Sequence, residues 1–115
     1  MAAYLIVDED RNFRDALTIS LRLDGHLAVA TADADEALLR ISSGAFQVCL
    51  VDARLPCADV ILEIAAGAGL RAIATGPYAE LVAAAASRHP RAQALAKPFG
   101  ASELVSRTAD AQQVT

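Results

Sequence analysis

The sequence has no tryptophan and few other aromatic residues, two tyrosines and three phenylalanines. A nucleic-acid surface built on base stacking needs aromatic side chains, and binding to phosphates needs a basic face. This chain instead carries a formal net charge of −4. The composition therefore argues against direct binding of DNA or RNA.

Cysteine is also scarce, with Cys49 and Cys57 as the only two. Neither stands near a histidine in a zinc-binding pattern, and Cys49 lies in an apolar run that predicts a core position. The N-terminus reaches acidic residues too early for a signal peptide, and no apolar stretch is long enough to span a membrane. We expect a cytoplasmic protein with reduced thiols.

What is abundant is apolar sequence, 55% of 115 residues, enough for the core of one domain. We predict a single domain over residues 1–115, with a frayed tail after about residue 110. Five apolar runs alternate with segments of helical pattern. The predicted strands are residues 4–7, 27–31, 47–51, 70–75 and 93–96, and the predicted helices are residues 12–24, 33–44, 60–66, 78–88 and 102–109.

Local signals support the first two helices: Asp10 and Asp33 suit N-caps, and Gly25 and Gly44 suit helix ends. Strand and helix alternating through short links predict an α/β fold, a parallel sheet with helices on both faces. Right-handed crossovers and five strands favour the doubly wound, flavodoxin-like order 2-1-3-4-5, a three-layer α/β/α sandwich. Ligands of such sheets bind at the carboxyl ends of the strands, beside the switch point between strands 1 and 3.

Polar residues follow four of these predicted strands. Asp8 and Glu9 stand at the end of strand 1. Asp52, Thr75 and Lys97 stand at the ends of strands 3, 4 and 5, respectively. Lys97 is also the only lysine. Three carboxylates at one edge repel one another, and Mg²⁺ would relieve that repulsion. Acids, a metal, a hydroxyl and an ammonium together predict phosphoryl transfer by positioning and charge neutralisation.

Other phosphate-binding designs do not fit the turn after strand 1. That turn, residues 9–12, contains no glycine. A Rossmann or P-loop cradle needs glycine there, and the acids would repel a preformed anion. A flavodoxin-type loop rich in hydroxyl side chains is missing as well.

Four motifs in order resemble the receiver domain of two-component response regulators, the CheY-like superfamily. They are the acidic pair Asp8-Glu9, Asp52 followed by Leu55-Pro56, Thr75-Gly76, and Lys97-Pro98-Phe99. The resemblance covers residues 4 to about 105. It implies a regulatory phosphoacceptor domain rather than an enzyme with an external substrate.

By this resemblance Asp52 accepts a phosphoryl group from a phosphohistidine of a sensor histidine kinase or phosphotransfer protein. Asp8, Glu9, Asp52 and the backbone carbonyl of Arg54 hold Mg²⁺. Thr75 and Lys97 bind phosphoryl oxygens, and the output is a switch in the surface of helix 4, strand 5 and helix 5. A homodimer is compatible with this role.

Four features depart from the family pattern. Ala94 stands where an aromatic switch residue is usual, and Val60 replaces a loop glycine, so we expect a rebuilt loop. The segment from Asp52 to Thr75 is short, which predicts a truncated helix 3 of about two turns. Pro77 is expected to stiffen the loop after strand 4.

Two other functions stay open. A degenerate receiver would keep the fold and act through protein contacts without phosphorylation. A Mg²⁺-dependent phosphatase resembling the haloacid dehalogenase group would need an acid two residues after the nucleophile, where Arg54 stands. His26 and His89 are expected to be surface residues without partners, and Asp59 and Glu63 to be solvated charges.

Overall fold

The structure, a computed structural model, describes residues 1–109, in which five strands and five helices alternate. The predicted frayed tail lies outside these residues. The strands are β1 Ala3–Val7, β2 Leu27–Thr31, β3 Val48–Asp52, β4 Arg71–Gly76 and β5 Ala92–Ala96. The helices are α1 Arg11–Leu23, α2 Ala34–Ser42, α3 Ala58–Gly67, α4 Ala79–Arg88 and α5 Ala101–Arg107.

All five strands form one parallel sheet in the order β2-β1-β3-β4-β5. This confirms the predicted doubly wound architecture and places the switch point between β1 and β3. The pairing register sets Val7 beside Val51, and Asp52 beside Thr75. The carboxyl ends of the central strands therefore meet at one edge.

The core has two parts, one on each face of the sheet, because successive residues of a strand point to opposite faces. In β1, Leu5 and Val7 pack toward α2, α3 and α4, whereas Tyr4 and Ile6 pack toward α1 and α5. All five residues of β1 and of β3 are buried. Burial on both faces explains why these strands read as continuous apolar runs.

The ends of α1 and α2 are as the sequence predicts. The carboxylate of Asp10 accepts a hydrogen bond from the Phe13 amide at 3.2 Å, and that of Asp33 accepts one from the Asp35 amide at 2.8 Å. Beyond each helix a glycine has a positive φ, 86° at Gly25 and 75° at Gly44. Side chains with a Cβ rarely adopt this conformation.

Helix α3 differs from the prediction. It has 10 residues instead of the seven predicted at 60–66, since a turn from Leu55 leads directly into it at Ala58. Val60 therefore lies in a helix and not in a loop. Among residues 1–109 every non-glycine residue has a negative φ, so Val60 carries no backbone strain.

The two histidines were expected to be unpartnered, and this expectation is wrong. His89 leaves only 12% of its side chain exposed and places Nε2 2.8 Å from Oδ1 of Asp59 and Nδ1 3.2 Å from Oε2 of Glu63. His26 Nδ1 accepts a hydrogen bond from the Ala2 amide at 3.1 Å. Through these contacts the end of α4 is joined to α3. Glu63 and Asp59 precede His89 by 26 and 30 positions in the chain, so no local sequence pattern contains the contacts.

Cys49 is buried in the core, as predicted, and burial raises the pKa of its thiol to about 12. Both cysteines are free thiols. Within the described part of the chain, none of the helices has the length and apolarity needed to cross a membrane.

Candidate functional site

The strand ends bring Asp8, Asp52, Thr75 and Lys97 to one edge of the sheet. Asp52 is the last residue of β3 and pairs with Thr75 in β4. Asp8 directly follows β1, and Lys97 directly follows β5. These are four of the residues that the sequence singled out.

Backbone hydrogen bonds that continue past the strands fix these positions. The Asp8 amide donates to the Thr31 carbonyl at 3.1 Å, and the Lys97 amide donates to the Gly76 carbonyl at 2.7 Å. The Ala53 amide donates to the Thr75 carbonyl at 2.8 Å. The hydrogen bonding of the sheet thus extends to Asp8, Lys97 and the residue after Asp52. The peptide bond from Lys97 to Pro98 is cis.

Lys97 bridges the two buried acids. Its Nζ lies 2.8 Å from Oδ2 of Asp8 and 3.2 Å from Oδ2 of Asp52. Asp8 is 0% and Asp52 is 2% exposed, so each carboxylate needs a counter-ion. Lys97 supplies a single charge between the two carboxylates, and only 14% of its side chain is exposed.

An aromatic pair, which the sequence did not identify as part of the site, confines Lys97. Its Nζ lies 4.1 Å from the centre of the Phe13 ring, and Phe13 meets Phe99 edge to face with ring centres 5.6 Å apart. A cation over an aromatic face is stabilised by the ring quadrupole. Phe13 and Lys97 lie far apart along the chain, so no local sequence pattern contains this contact.

Arg54 makes the second unexpected contact. Its guanidinium donates from Nε to Oδ1 of Asp52 at 3.1 Å and from the terminal Nη2 to Oδ2 at 2.8 Å. The resemblance implies a role for the backbone carbonyl of Arg54 and none for its side chain. The phosphatase alternative gains nothing here, since the position that would hold its second acid carries a cation against Asp52.

The pKa of Asp52 follows from these contacts. Burial acts to raise it, but hydrogen bonds from the Arg54 side chain and backbone amide, together with Lys97, outweigh burial and lower the pKa to about 2. Asp52 is therefore an ionised carboxylate at neutral pH. An ionised oxygen is the form that can attack phosphorus.

The predicted acidic group is only partly assembled. Asp8 and Asp52 converge on Lys97, whereas Glu9 is exposed, with its carbonyl accepting a hydrogen bond from Arg14 at 3.0 Å. Across residues 1–109, no three side chains among histidine, cysteine, aspartate and glutamate are grouped so that they could hold a metal ion.

The donor chemistry nevertheless fits Mg²⁺. This cation prefers oxygen ligands and keeps several waters, so that one or two carboxylates suffice. Asp8 and Asp52 provide them at a common point, since both reach the same ammonium group. The opposing feature is Arg54, which already neutralises Asp52.

Thr75 and Ala94 occupy their predicted places. Thr75 is 1% exposed beside Asp52, and Ala94 pairs with Ala74 on the neighbouring strand. With alanine at this position, β5 carries no ring that could follow movement of Thr75. The usual aromatic relay is therefore missing from this position.

Solved structures with the same fold include response regulator proteins. NtrX from Brucella abortus in complex with ADP is 28% identical, with a TM-score of 0.79, over 96% of this chain and 26% of NtrX. A response regulator receiver domain protein from Clostridium thermocellum is 19% identical, with a TM-score of 0.81, over 96% of this chain and 94% of its own. The BeF3-activated receiver domain of DrrB is 18% identical, with a TM-score of 0.78, over 99% of both chains.

This chain thus spans about a quarter of NtrX and nearly the whole of the two receiver domains. No protein-family model and no curated protein matches it. Together with the strand order, the structural likeness shows that the chain has the fold of response regulator receiver domains.

Proposed function

We propose that the chain is a phosphoacceptor receiver that takes a phosphoryl group onto Asp52. The observation that carries this proposal is the placement of Asp52, ionised and buried at a strand end, in contact with Lys97. Burial of a charged carboxylate is unfavourable, and buried charged groups are concentrated at functional sites. A role as phosphoryl acceptor would account for the position of Asp52.

In the proposed reaction, a carboxylate oxygen of Asp52 forms a bond to phosphorus as the P–N bond of a phosphohistidine breaks. The electron pair of that bond stays on the imidazole nitrogen of the donor, which is then protonated by solvent. Attack of water on phosphorus later returns the carboxylate and releases inorganic phosphate. The chain thus acts as a regulatory domain with a transient phosphorylated state.

Each neighbour of Asp52 has a role suited to its chemistry. Lys97 pairs with a phosphoryl oxygen once Asp52 is no longer an anion, and the Thr75 hydroxyl donates to another. Asp8, Glu9, Asp52 and the carbonyl of Arg54 would hold Mg²⁺, which supplies charge neutralisation. The phosphoryl donor is a sensor histidine kinase or a phosphotransfer protein, and we place this exchange in the cytoplasm.

A degenerate receiver is the second candidate, favoured by two observations. Arg54 pairs with Asp52 where an acceptor would be free, and Ala94 removes the usual aromatic relay. Such a domain would keep its fold and bind a protein partner, or a second copy of itself, without phosphorylation.

Adduct formation separates the two candidates. The protein is incubated with Mg²⁺ and either beryllofluoride or a small phosphodonor, and the adduct is followed by ¹⁹F NMR or intact mass. If the chain is a phosphoacceptor, one adduct per chain should form, and its formation should require Mg²⁺. The adduct should be lost in Asp52→Asn and should persist in the control Asp35→Asn, which changes an exposed residue of α2. Equal behaviour of the wild type and Asp52→Asn would reject the proposal in favour of the degenerate receiver.

A further inference from the structure

We propose that the Arg54 side chain is an internal competitor for the site, which has to leave Asp52 before a divalent cation and a phosphoryl donor can use that carboxylate. This inference rests on the proposed function of Asp52. It assigns to the guanidinium a regulatory role that the backbone carbonyl of the same residue does not have.

Asp52 accepts as many hydrogen bonds as a carboxylate can. Oδ1 accepts from the backbone amide of Arg54 at 2.8 Å and from its Nε at 3.1 Å. Oδ2 accepts from Nη2 of Arg54 at 2.8 Å and from Lys97 Nζ at 3.2 Å. A carboxylate has about four acceptor sites. In this arrangement no lone pair of Asp52 is left for a metal or for phosphorus.

The two cations that contact Asp52 differ in how far they are enclosed by the protein. The Lys97 side chain is 14% exposed, held between Asp8 and the Phe13 ring, whereas 52% of the Arg54 side chain is exposed. Departure of Arg54 therefore breaks two hydrogen bonds to Asp52 and leaves the core packing unchanged. The free guanidinium would be solvated, and Asp52 would keep Lys97 as its counter-ion, so the pair can open.

The charges at the site balance without a metal ion. Asp8 and Asp52 carry two negative charges, which Lys97 and Arg54 balance with two positive ones. A divalent cation that binds the same oxygens would meet an already neutral site and the repulsion of the guanidinium. Removal of the Arg54 charge leaves a net negative site. The affinity for Mg²⁺ should therefore rise when Arg54 loses its charge, with every backbone contact retained.

The decisive measurement is the Mg²⁺ affinity of the apo protein, from amide chemical shifts during titration with MgCl₂. Arg54→Gln keeps the backbone donor and much of the side-chain length but removes the charge. We expect its dissociation constant to be lower than that of the wild type by roughly fivefold, the effect of losing one half-exposed ion pair. The control Arg40→Gln also removes one positive charge, but from an exposed residue of α2. It should leave the dissociation constant for Mg²⁺ unchanged.

Beryllofluoride binding gives a second readout. Arg54→Gln should reach half-maximal adduct at a lower Mg²⁺ concentration than the wild type. If Arg54→Gln binds Mg²⁺ no more tightly than the wild type, or does not bind it, the competition by Arg54 is refuted. This holds even if the wild type forms the adduct, a result that would support the phosphoacceptor function alone. If Arg54→Gln binds Mg²⁺ more tightly and neither protein forms an adduct, the competition stands and the phosphoacceptor function fails.

Discussion

Lys97 donates a hydrogen bond to Asp8 at 2.8 Å although the two residues are 89 positions apart in the chain. The contact joins the ends of β1 and β5, which are separated in the sheet by β3 and β4. A long, flexible side chain spans this distance only because the carboxyl ends of parallel strands share one edge. The same ammonium also reaches Asp52 at 3.2 Å, so one residue contacts both buried acids.

Substitution Lys97→Ala should leave the fold intact but lower its stability. Asp8 would lose its counter-ion while fully buried, whereas Asp52 would keep Arg54, so we expect a loss of about 2 kcal/mol, below the full cost of orphaning a buried pair. Chemical denaturation measures it, and saturating Mg²⁺ should restore part of the loss. Arg107→Ala, which removes an exposed pair with Glu103, should change stability by less than about 0.5 kcal/mol.

The same substitution tests the proposed role of Lys97 in the switch. An adduct should still form on Asp52, yet the chemical shifts of α4, β5 and α5 should respond less than in the wild type. This is expected because the ammonium that could follow the phosphoryl group is gone. Wild-type shift changes in Lys97→Ala would show that Lys97 does not couple the site to that surface.

Tyr4→Phe should destabilise the domain through the last helix. The Tyr4 hydroxyl lies 2.8 Å from Oγ1 of Thr108, both residues are 0% exposed, and Thr108 in turn bonds the Leu104 carbonyl at 2.8 Å. Loss of one buried hydrogen bond costs about 1 kcal/mol. The matched control is Tyr78→Phe, because Tyr78 is 66% exposed. Equal stability of the two variants would contradict the role of this bond.

The contact of His89 with Asp59 and Glu63 predicts a pH dependence of stability. A neutral imidazole can donate from only one nitrogen, so the two carboxylates favour the doubly protonated ring; Asp59 first, and Glu63 with it, raise the pKa of His89. Its folded pKa lies above the unfolded value of 6.5, so the stabilisation is complete below pH 6.5 and is lost as pH rises through the folded pKa.

At low pH, protonation of Asp59 removes the stabilisation that its contact with His89 provides. His89, and then Arg88, lower the pKa of Asp59, so its contribution is present above pH 3.8 and is lost as pH falls through the lower folded value. Urea unfolding at about pH 5.5 and about pH 8.5 measures the free energy of unfolding of the wild type and of His89→Gln. The wild type should be more stable than the variant by a larger margin at the lower pH. The double variant Asp59→Asn with Glu63→Gln should erase that difference; a pH-independent gap would refute the contact.

Gly76→Ala should strain the connection that follows Thr75. A Cβ at Gly76 would lie 3.0 Å from Cδ2 of Leu81 and 3.3 Å from Cγ1 of Val82, so these two side chains must move slightly to make room. We expect a loss of about 1 kcal/mol. Gly67→Ala is the matched control, since its Cβ would meet nothing within 4 Å and the position is helical, where alanine is preferred by up to about 1 kcal/mol. Thermal unfolding of both variants checks the opposite signs.

Much of the fold could be predicted because its signals are local. Runs such as residues 48–51 lack alternation when a strand is buried on both faces, and Asp10, Asp33, Gly25 and Gly44 act within a single turn. The prediction failed for α3, where residues 58, 59 and 67 also belong to the helix. No N-cap side chain marks its start at Cys57, so the sequence carries no boundary signal there.

The sequence by itself determined the strand order and four strand-end positions of the site, Asp8, Asp52, Thr75 and Lys97, since parallel strands must end at a common edge. Tertiary structure alone decided which charges pair. Arg54 turns back onto Asp52, Phe13 covers Lys97, Glu9 stays outside, and His89 joins α4 to α3. Side-chain direction and burial set these contacts, and spacing along the chain encodes neither.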